Sequence, residues 1–179
     1  MNLNYSSVMW RFNVTITILL FLQFVEADEG LQTESFFKSV AGHWIGSGQL
    51  VNADGEVTDI QEDWTGTFLE DGSFEMKGTR LWGDEQQEFY WRFTHNASLD
   101  LNECEYWHTG VDEPVRFEVS LTETSVEMRS PFGEPGGELK ISNTLSGDKI
   151  EGQVSLTQGS GTAMLSGKVE HSKADRGTE

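Results

Sequence analysis

Charged side chains that alternate in phase with apolar residues are the groups in this sequence best placed to do chemistry. Glu62 falls on the same strand face as Ile60 and Trp64, and Arg80 on the same face as Trp82. A buried charge needs a partner or a ligand. Three arrangements are therefore open: an ion pair across neighbouring strands, a contact of Arg80 with a ligand carboxylate, or an Arg80 that reaches water at a rim.

A second set of polar groups lies in the segment 103–108, where two faces alternate. One face carries Cys104, Tyr106 and His108, and the other carries Glu103, Glu105 and Trp107. The pattern does not decide which face points inward. Cys104 has no second cysteine in the chain, and its acidic neighbours disfavour a reactive thiolate.

Motifs of known enzyme classes are missing from the sequence. It contains no Gly-x-Ser-x-Gly elbow, phosphate-binding loop or His-Glu-x-x-His helix, and its acidic turns lack the spacing of a calcium loop. His43, His95 and His108 lie on separate segments, so a zinc site would require that they converge. We predict no catalytic residue, no metal and no cofactor.

The elements that must position these residues are a short helix followed by many strands. Phe36, Phe37 and Val40 fall at helical spacing between Gln32 and Ala41, with Thr33 or Ser35 available as a cap. From Trp44 onward the period is two, and Gly/Asp/Asn turns recur about every ten residues. The alternation is clearest on the inward face of Val115, Phe117, Val119 and Leu121. Nine or ten antiparallel strands are expected, closed into a barrel or folded as a sandwich.

The stretch Phe36 to Gly48, FFKSVAGHWIGSG, which contains the entry helix and Gly42-His43-Trp44, favours the barrel. It resembles the start of bacterial lipocalin-like (calycin) domains of unassigned function, and more weakly that of nitrobindin-type haem barrels. The resemblance implies a single up-and-down barrel over residues 28–171, in which a short helix and Trp44 plug one end. It also implies a lumen that binds a small, mostly apolar molecule. His171 is the only residue near the position of the nitrobindin haem ligand, but its polar surroundings do not match that family.

The leading hypothesis is therefore an exported carrier barrel, with a filled interior as the alternative for its lumen. Two other classes stay open: a haem-binding or lipid-modifying calycin enzyme, and an acidic module that docks a basic protein. Phe89 and Phe117 are expected at the lumen wall or plug, and the predicted ligand-binding residues are Trp44, Glu62, Trp64, Arg80, Trp82, Trp91, Phe93, Tyr106 and His108.

The first residues are expected to direct export. Arg11 precedes an apolar run from Phe12 to Phe24, which is short for a membrane span, and Val25-Glu26-Ala27 suits a signal peptidase. We predict a signal peptide over 1–27, a secreted or periplasmic protein, and a flexible tail over 172–179. An uncleaved anchor is the alternative for the leader.

Charge and modification patterns restrict the partners further. The net charge of -18 disfavours nucleic acid and anionic membranes as partners. A single cysteine excludes a disulfide within the chain. Asn96-Ala97-Ser98 matches a glycosylation acceptor, which matters only in a eukaryotic secretory pathway. The sequence does not specify the oligomeric state.

Overall fold

The structure is a computed structural model that describes residue 31 and residues 34–174. Within these residues, one helix precedes ten strands. The elements are α1 (Ser35–Val40), β1 (Gly42–Asn52), β2 (Val57–Phe68), β3 (Phe74–Trp82), β4 (Glu85–Asn96), β5 (Leu101–His108), β6 (Val115–Leu121), β7 (Ser125–Pro131), β8 (Glu138–Ser146), β9 (Lys149–Thr157) and β10 (Ala163–Lys173).

The ten strands form a closed, antiparallel, up-and-down barrel. Each strand pairs with the next in the chain, and β1 closes the ring by pairing with β10, from Trp44 opposite Lys173 to Asn52 opposite Leu165. Closure leaves no strand edge unpaired. The predicted barrel is confirmed, and the sandwich is ruled out.

Of the two predicted domain boundaries, the start of the C-terminal tail lies within the described residues and the end of the leader lies outside them. Strand β10 continues to Lys173, so residues 172 and 173 are paired in the sheet where a tail was expected. The predicted leader and its cleavage after Ala27 lie outside the described residues and stay predictions.

Alternation of side chains along the strands explains the closed sheet. On β6, Phe117 and Val119 are buried while Arg116 and Glu118 are exposed. The same period-two burial recurs on β1, β2 and β7. Because successive strand residues point to opposite faces, an apolar residue at every second position gives the sheet one dry side. Closing the sheet with that side inward removes it from water.

Helix α1 closes one end of the barrel. Its three apolar residues are buried, and the Phe37 ring lies 4.9 Å from the rings of Phe74 and Phe93. Trp44 is fully buried and donates its indole N–H to the carbonyl oxygen of Val40 at 2.9 Å. The helical stopper is therefore confirmed.

The helix cap differs from the expectation. Glu34 occupies the N-cap position without a side-chain capping bond, and Ser35 is the first helical residue. A helix this short is marginal by itself, and its buried face supplies most of its stability. Within the part of the chain that the structure describes, no helix combines the length and the apolar character that a membrane crossing needs.

Candidate functional site: a lumen with a buried charge cluster

The barrel encloses a cavity of about 420 Å³. That volume lies within the range of small-molecule pockets, roughly 300 to 1,000 Å³. Apolar side chains from both halves of the barrel, including Ile60, Met76, Ile141 and Val154, form most of its wall. The cavity extends to the end opposite α1, which we call the open end, where Trp82 contributes to the wall. The barrel interior is therefore hollow, and the alternative of an interior filled by side chains is not observed.

The structure places most of the predicted ligand-binding residues on the cavity wall. Trp44 is the exception: it does not line the cavity but belongs to the stopper, where it stacks on Trp64 at 5.8 Å between ring centroids. Phe89 lines the cavity as well, whereas Phe117 is buried without lining it. The predicted residues on the wall are Glu62, Trp64, Arg80, Trp82, Trp91, Phe93, Tyr106 and His108.

An ion pair between Glu62 and Arg80 forms the centre of the polar part of the wall. The two residues are direct partners in the pairing of β2 with β3. Arg80 Nε donates to Glu62 Oε1 at 2.6 Å, and the two side chains are only 14% and 10% exposed. Arg80 Nη1 donates to the hydroxyl of Tyr106 at 2.8 Å, and the guanidinium lies 4.9 Å from the centre of the Phe89 ring. Of the three arrangements open from the sequence, the structure contains the pair across neighbouring strands.

His171 is the third member of this cluster, although its neighbours in the sequence are polar. Its side chain is buried, and its Nε2 lies 2.7 Å from Glu62 Oε2. The ring meets Trp64 edge-on at 5.6 Å between centroids. Because an ionised carboxylate only accepts hydrogen bonds, Nε2 carries the proton in this contact.

Gly46 makes the contact between His171 and Glu62 possible. It is the register partner of His171 on β10 and of Glu62 on β2, so it lies between them on β1. A Cβ at this position would lie 2.1 Å from Cδ2 of His171. The absent side chain gives the imidazole room to reach across the strand. The sequence signal was therefore a glycine at an inward position of the first strand.

His171 does not suit haem coordination in this arrangement. Its Nε2 is engaged by Glu62, and its Nδ1 is enclosed with no partner among the described residues. An axial ligand needs a ring nitrogen open to the iron. The haem site implied by the nitrobindin resemblance is therefore not supported by this geometry.

The charge states of the cluster follow from its contacts. Burial opposes ionisation of Glu62, but the Arg80 guanidinium and the bond from His171 outweigh it, so the pKa of Glu62 falls from 4.5 to about 2. Burial also opposes charge on Arg80, yet Glu62 and Tyr106 raise the net pKa of Arg80. Burial raises the pKa of Tyr106. At neutral pH the cluster therefore holds a carboxylate, a guanidinium and a protonated phenol.

This cluster predicts a specific acid sensitivity. Because the pKa of Glu62 in the folded state lies below the usual value of 4.5, its stabilising contribution is complete above pH 4.5 and is lost as the pH falls towards 2. The full shift corresponds to about 3 kcal/mol. Urea denaturation between pH 6 and pH 3 should show a steep loss of stability in the wild type and a shallower one in Glu62→Gln. Equal slopes in the two proteins would contradict the assignment.

The register of β5 against β4 shows which face of the segment 103–108 points into the barrel. Phe93 pairs with Cys104, so Cys104, Tyr106 and His108 face inward and Trp107 faces out, where it stacks on Tyr90 at 5.8 Å. Burial raises the pKa of the Cys104 thiol well above its usual value, in keeping with the unreactive thiol expected.

The predicted scatter of the other histidines is also seen. His43 bonds to Asp63 at 2.7 Å, and His95 bonds to Asn102 at 2.9 Å. Within residues 34–174, no three His, Cys, Asp or Glu side chains come together in a way that could hold a metal ion.

Solved structures with the same architecture support the fold assignment. The S-type phycobiliprotein lyase CPES from Guillardia theta aligns with a TM-score of 0.56 and 10% sequence identity, over 87% of this chain and 99% of its own. Rv2717c from M. tuberculosis aligns with a TM-score of 0.55 and 11% identity, over 81% of this chain and 97% of its own. The fold is a lipocalin-like barrel. At such low identity the likeness extends to the fold alone.

A third structure has a longer chain than this one. A protein of unknown function from the DUF3598 family of Nostoc punctiforme aligns with a TM-score of 0.51 and 11% identity, over 77% of this chain but only 49% of its own. No protein-family model matches the sequence. No curated protein matches it significantly either.

Proposed function

We propose that this protein is an exported lipocalin-like barrel that binds a small, mostly apolar molecule in its lumen. The observation that carries the proposal is the enclosed cavity of about 420 Å³, walled mainly by apolar and aromatic side chains. Burial of a ligand against such a wall stabilises the complex by roughly 25 cal/mol for each Å² of apolar surface removed from water. Export rests on the leader-like sequence of residues 1–27.

The protonation states of the cluster favour binding over catalysis. A general acid or base works best when its pKa lies near the working pH. The pKa of Glu62 is lowered to about 2 and that of Tyr106 is raised, so both move away from neutrality. The same groups hydrogen-bond to one another, which stabilises the wall and fixes its shape. We therefore assign the cluster to the shape and polarity of the binding site.

Filling the lumen should abolish binding. Ile141 lies on the cavity wall, and the next residue, Ser142, faces away from the cavity. Ile141→Trp places an indole in the space a ligand would occupy, and Ser142→Trp is the matched control on the same strand. Equilibrium dialysis with 2-ethylnaphthalene should give a dissociation constant at least about tenfold higher for Ile141→Trp, a loss of about 1.4 kcal/mol, and an unchanged constant for Ser142→Trp.

Two results would contradict the proposal. In the first, the wild-type protein retains none of a panel of small apolar probes. In the second, both tryptophan variants bind 2-ethylnaphthalene as tightly as the wild type, which would place the probe on the outer surface. Thermal denaturation of both variants is the folding control.

A further inference from the structure

Two hydrogen-bond donors on the polar part of the cavity wall, the Tyr106 hydroxyl and the Trp64 indole N–H, have no acceptor among the described residues. From these donors we propose that the ligand carries an uncharged oxygen acceptor, such as a ketone, ester or amide carbonyl, which accepts a hydrogen bond from the Tyr106 hydroxyl. This inference rests on the proposed function, because it names the class of molecule that the lumen would take.

The Tyr106 hydroxyl is a donor without an assigned acceptor. Its oxygen accepts a hydrogen bond from Arg80 Nη1 at 2.8 Å, so its own hydrogen must point elsewhere. None of the side-chain hydrogen bonds among residues 34–174 uses that hydrogen. The Tyr106 ring stacks on Trp91 at 4.0 Å between centroids, and both residues line the cavity. The stack therefore holds the hydroxyl in place at the cavity wall.

The carboxylate of the cluster already accepts hydrogen bonds from two other members. Oε1 of Glu62 accepts from Arg80, and Oε2 accepts from His171. Gln87, the register partner of Arg80, makes no side-chain hydrogen bond to Arg80 or Tyr106. Trp64, another wall residue, has a buried indole N–H without a partner among the described residues. An unpaired buried donor costs about 1 to 3 kcal/mol, so an incoming acceptor is favoured.

The charges on the wall favour a neutral acceptor over a carboxylate. Among the described residues that line the cavity, Arg80 alone carries a guanidinium or ammonium group, and Glu62 already balances it. Glu85 lines the cavity at the open end and adds a second carboxylate. A ligand carboxylate would therefore be an extra negative charge without a free cation to pair with it.

Three probes of nearly equal shape test this assignment. In 2-acetylnaphthalene the side group is a carbonyl, in 2-ethylnaphthalene it lacks an acceptor, and in 2-naphthoate it is an anion. Tyr106→Phe removes only the hydroxyl. Tyr90→Phe, on the outer face opposite Trp107, is the matched control. Affinities are measured by equilibrium dialysis at pH 7.

The expected result is a loss of affinity for the ketone and not for 2-ethylnaphthalene. Tyr106→Phe should weaken binding of the ketone by about three- to tenfold, the range for one lost hydrogen bond, and should change binding of 2-ethylnaphthalene by less than twofold. Tyr90→Phe should change neither. In the wild type the ketone should bind more tightly than the naphthoate. The infrared carbonyl stretch of the bound ketone should lie at lower wavenumber in the wild type than in Tyr106→Phe.

Some contradicting results would overturn this inference alone, and others would overturn the proposed function as well. Tightest binding of the naphthoate, or equal weakening of all three probes in Tyr106→Phe, would overturn the inference while leaving lumen binding intact. Failure of the wild type to bind any probe would overturn both.

Discussion

Replacement of Glu62 by alanine should lower the free energy of unfolding by about 3 to 5 kcal/mol, the usual cost of breaking a buried ion pair by removing one partner. The Arg80 side chain is 14% exposed and would lose its carboxylate partner. His171 would lose its acceptor in the same substitution. Urea denaturation at pH 7, monitored by tryptophan fluorescence and by circular dichroism, measures the change.

Two further variants test whether the loss of stability in Glu62→Ala comes from an unpaired buried charge. Glu170→Ala breaks an ion pair with Lys149 in which both side chains are about 60% exposed, and it should cost less than about 1 kcal/mol. Glu62→Leu combined with Arg80→Met should recover much of the lost stability, because an apolar pair of similar volume often replaces a buried ion pair without loss. A cost for Glu62→Ala as small as that of Glu170→Ala would contradict the buried cluster.

Replacement of Trp44 by alanine should also destabilise the protein by about 3 to 5 kcal/mol, as for other fully buried large aromatic residues. The substitution removes the stack on Trp64 and the hydrogen bond to Val40, through which the stopper is tied to the barrel. Chemical denaturation measures the loss, and hydrogen exchange should show faster opening of α1 than of the distant strands.

Trp107→Ala is the control for this prediction. Trp107 is half-buried on the outer face, and it stacks on Tyr90 and donates its indole N–H to Val111. Its loss should cost clearly less than that of Trp44, because it leaves no cavity in the core. Equal costs for the two substitutions would mean that Trp44 does not serve as a stopper.

Much of the fold could be predicted from local patterns. Period-two alternation with regular turns predicted nine or ten antiparallel strands in a barrel or a sandwich. The preference for the barrel and the assignment of Trp44 to the plug came from the resemblance of Phe36 to Gly48 to lipocalin-like domains. The pairing of Glu62 with Arg80 was within reach as one of three alternatives, because both lie on apolar faces of consecutive strands. Consecutive antiparallel strands pair in most such sheets, so their inward residues meet.

The rest of the site depends on closure and register, which no local pattern contains. His171 is 109 residues from Glu62 and meets it only because β10 pairs with β1. The inward face of 103–108 was undecided because both faces carry aromatic and polar residues, and the pairing of Phe93 with Cys104 decides it. The role of Gly46 likewise depends on its neighbours across two strands.

The central claim is that the lumen is a hollow site for a small apolar molecule, and the position of a heavy-atom ligand tests it most directly. Crystals grown or soaked with 2-bromonaphthalene would locate the bromine by its anomalous scattering. We predict a peak inside the barrel, within contact distance of the lining residues Phe89, Trp91 or Ile141. Bromine peaks confined to the outer surface, with the lumen filled by side chains, would contradict the account.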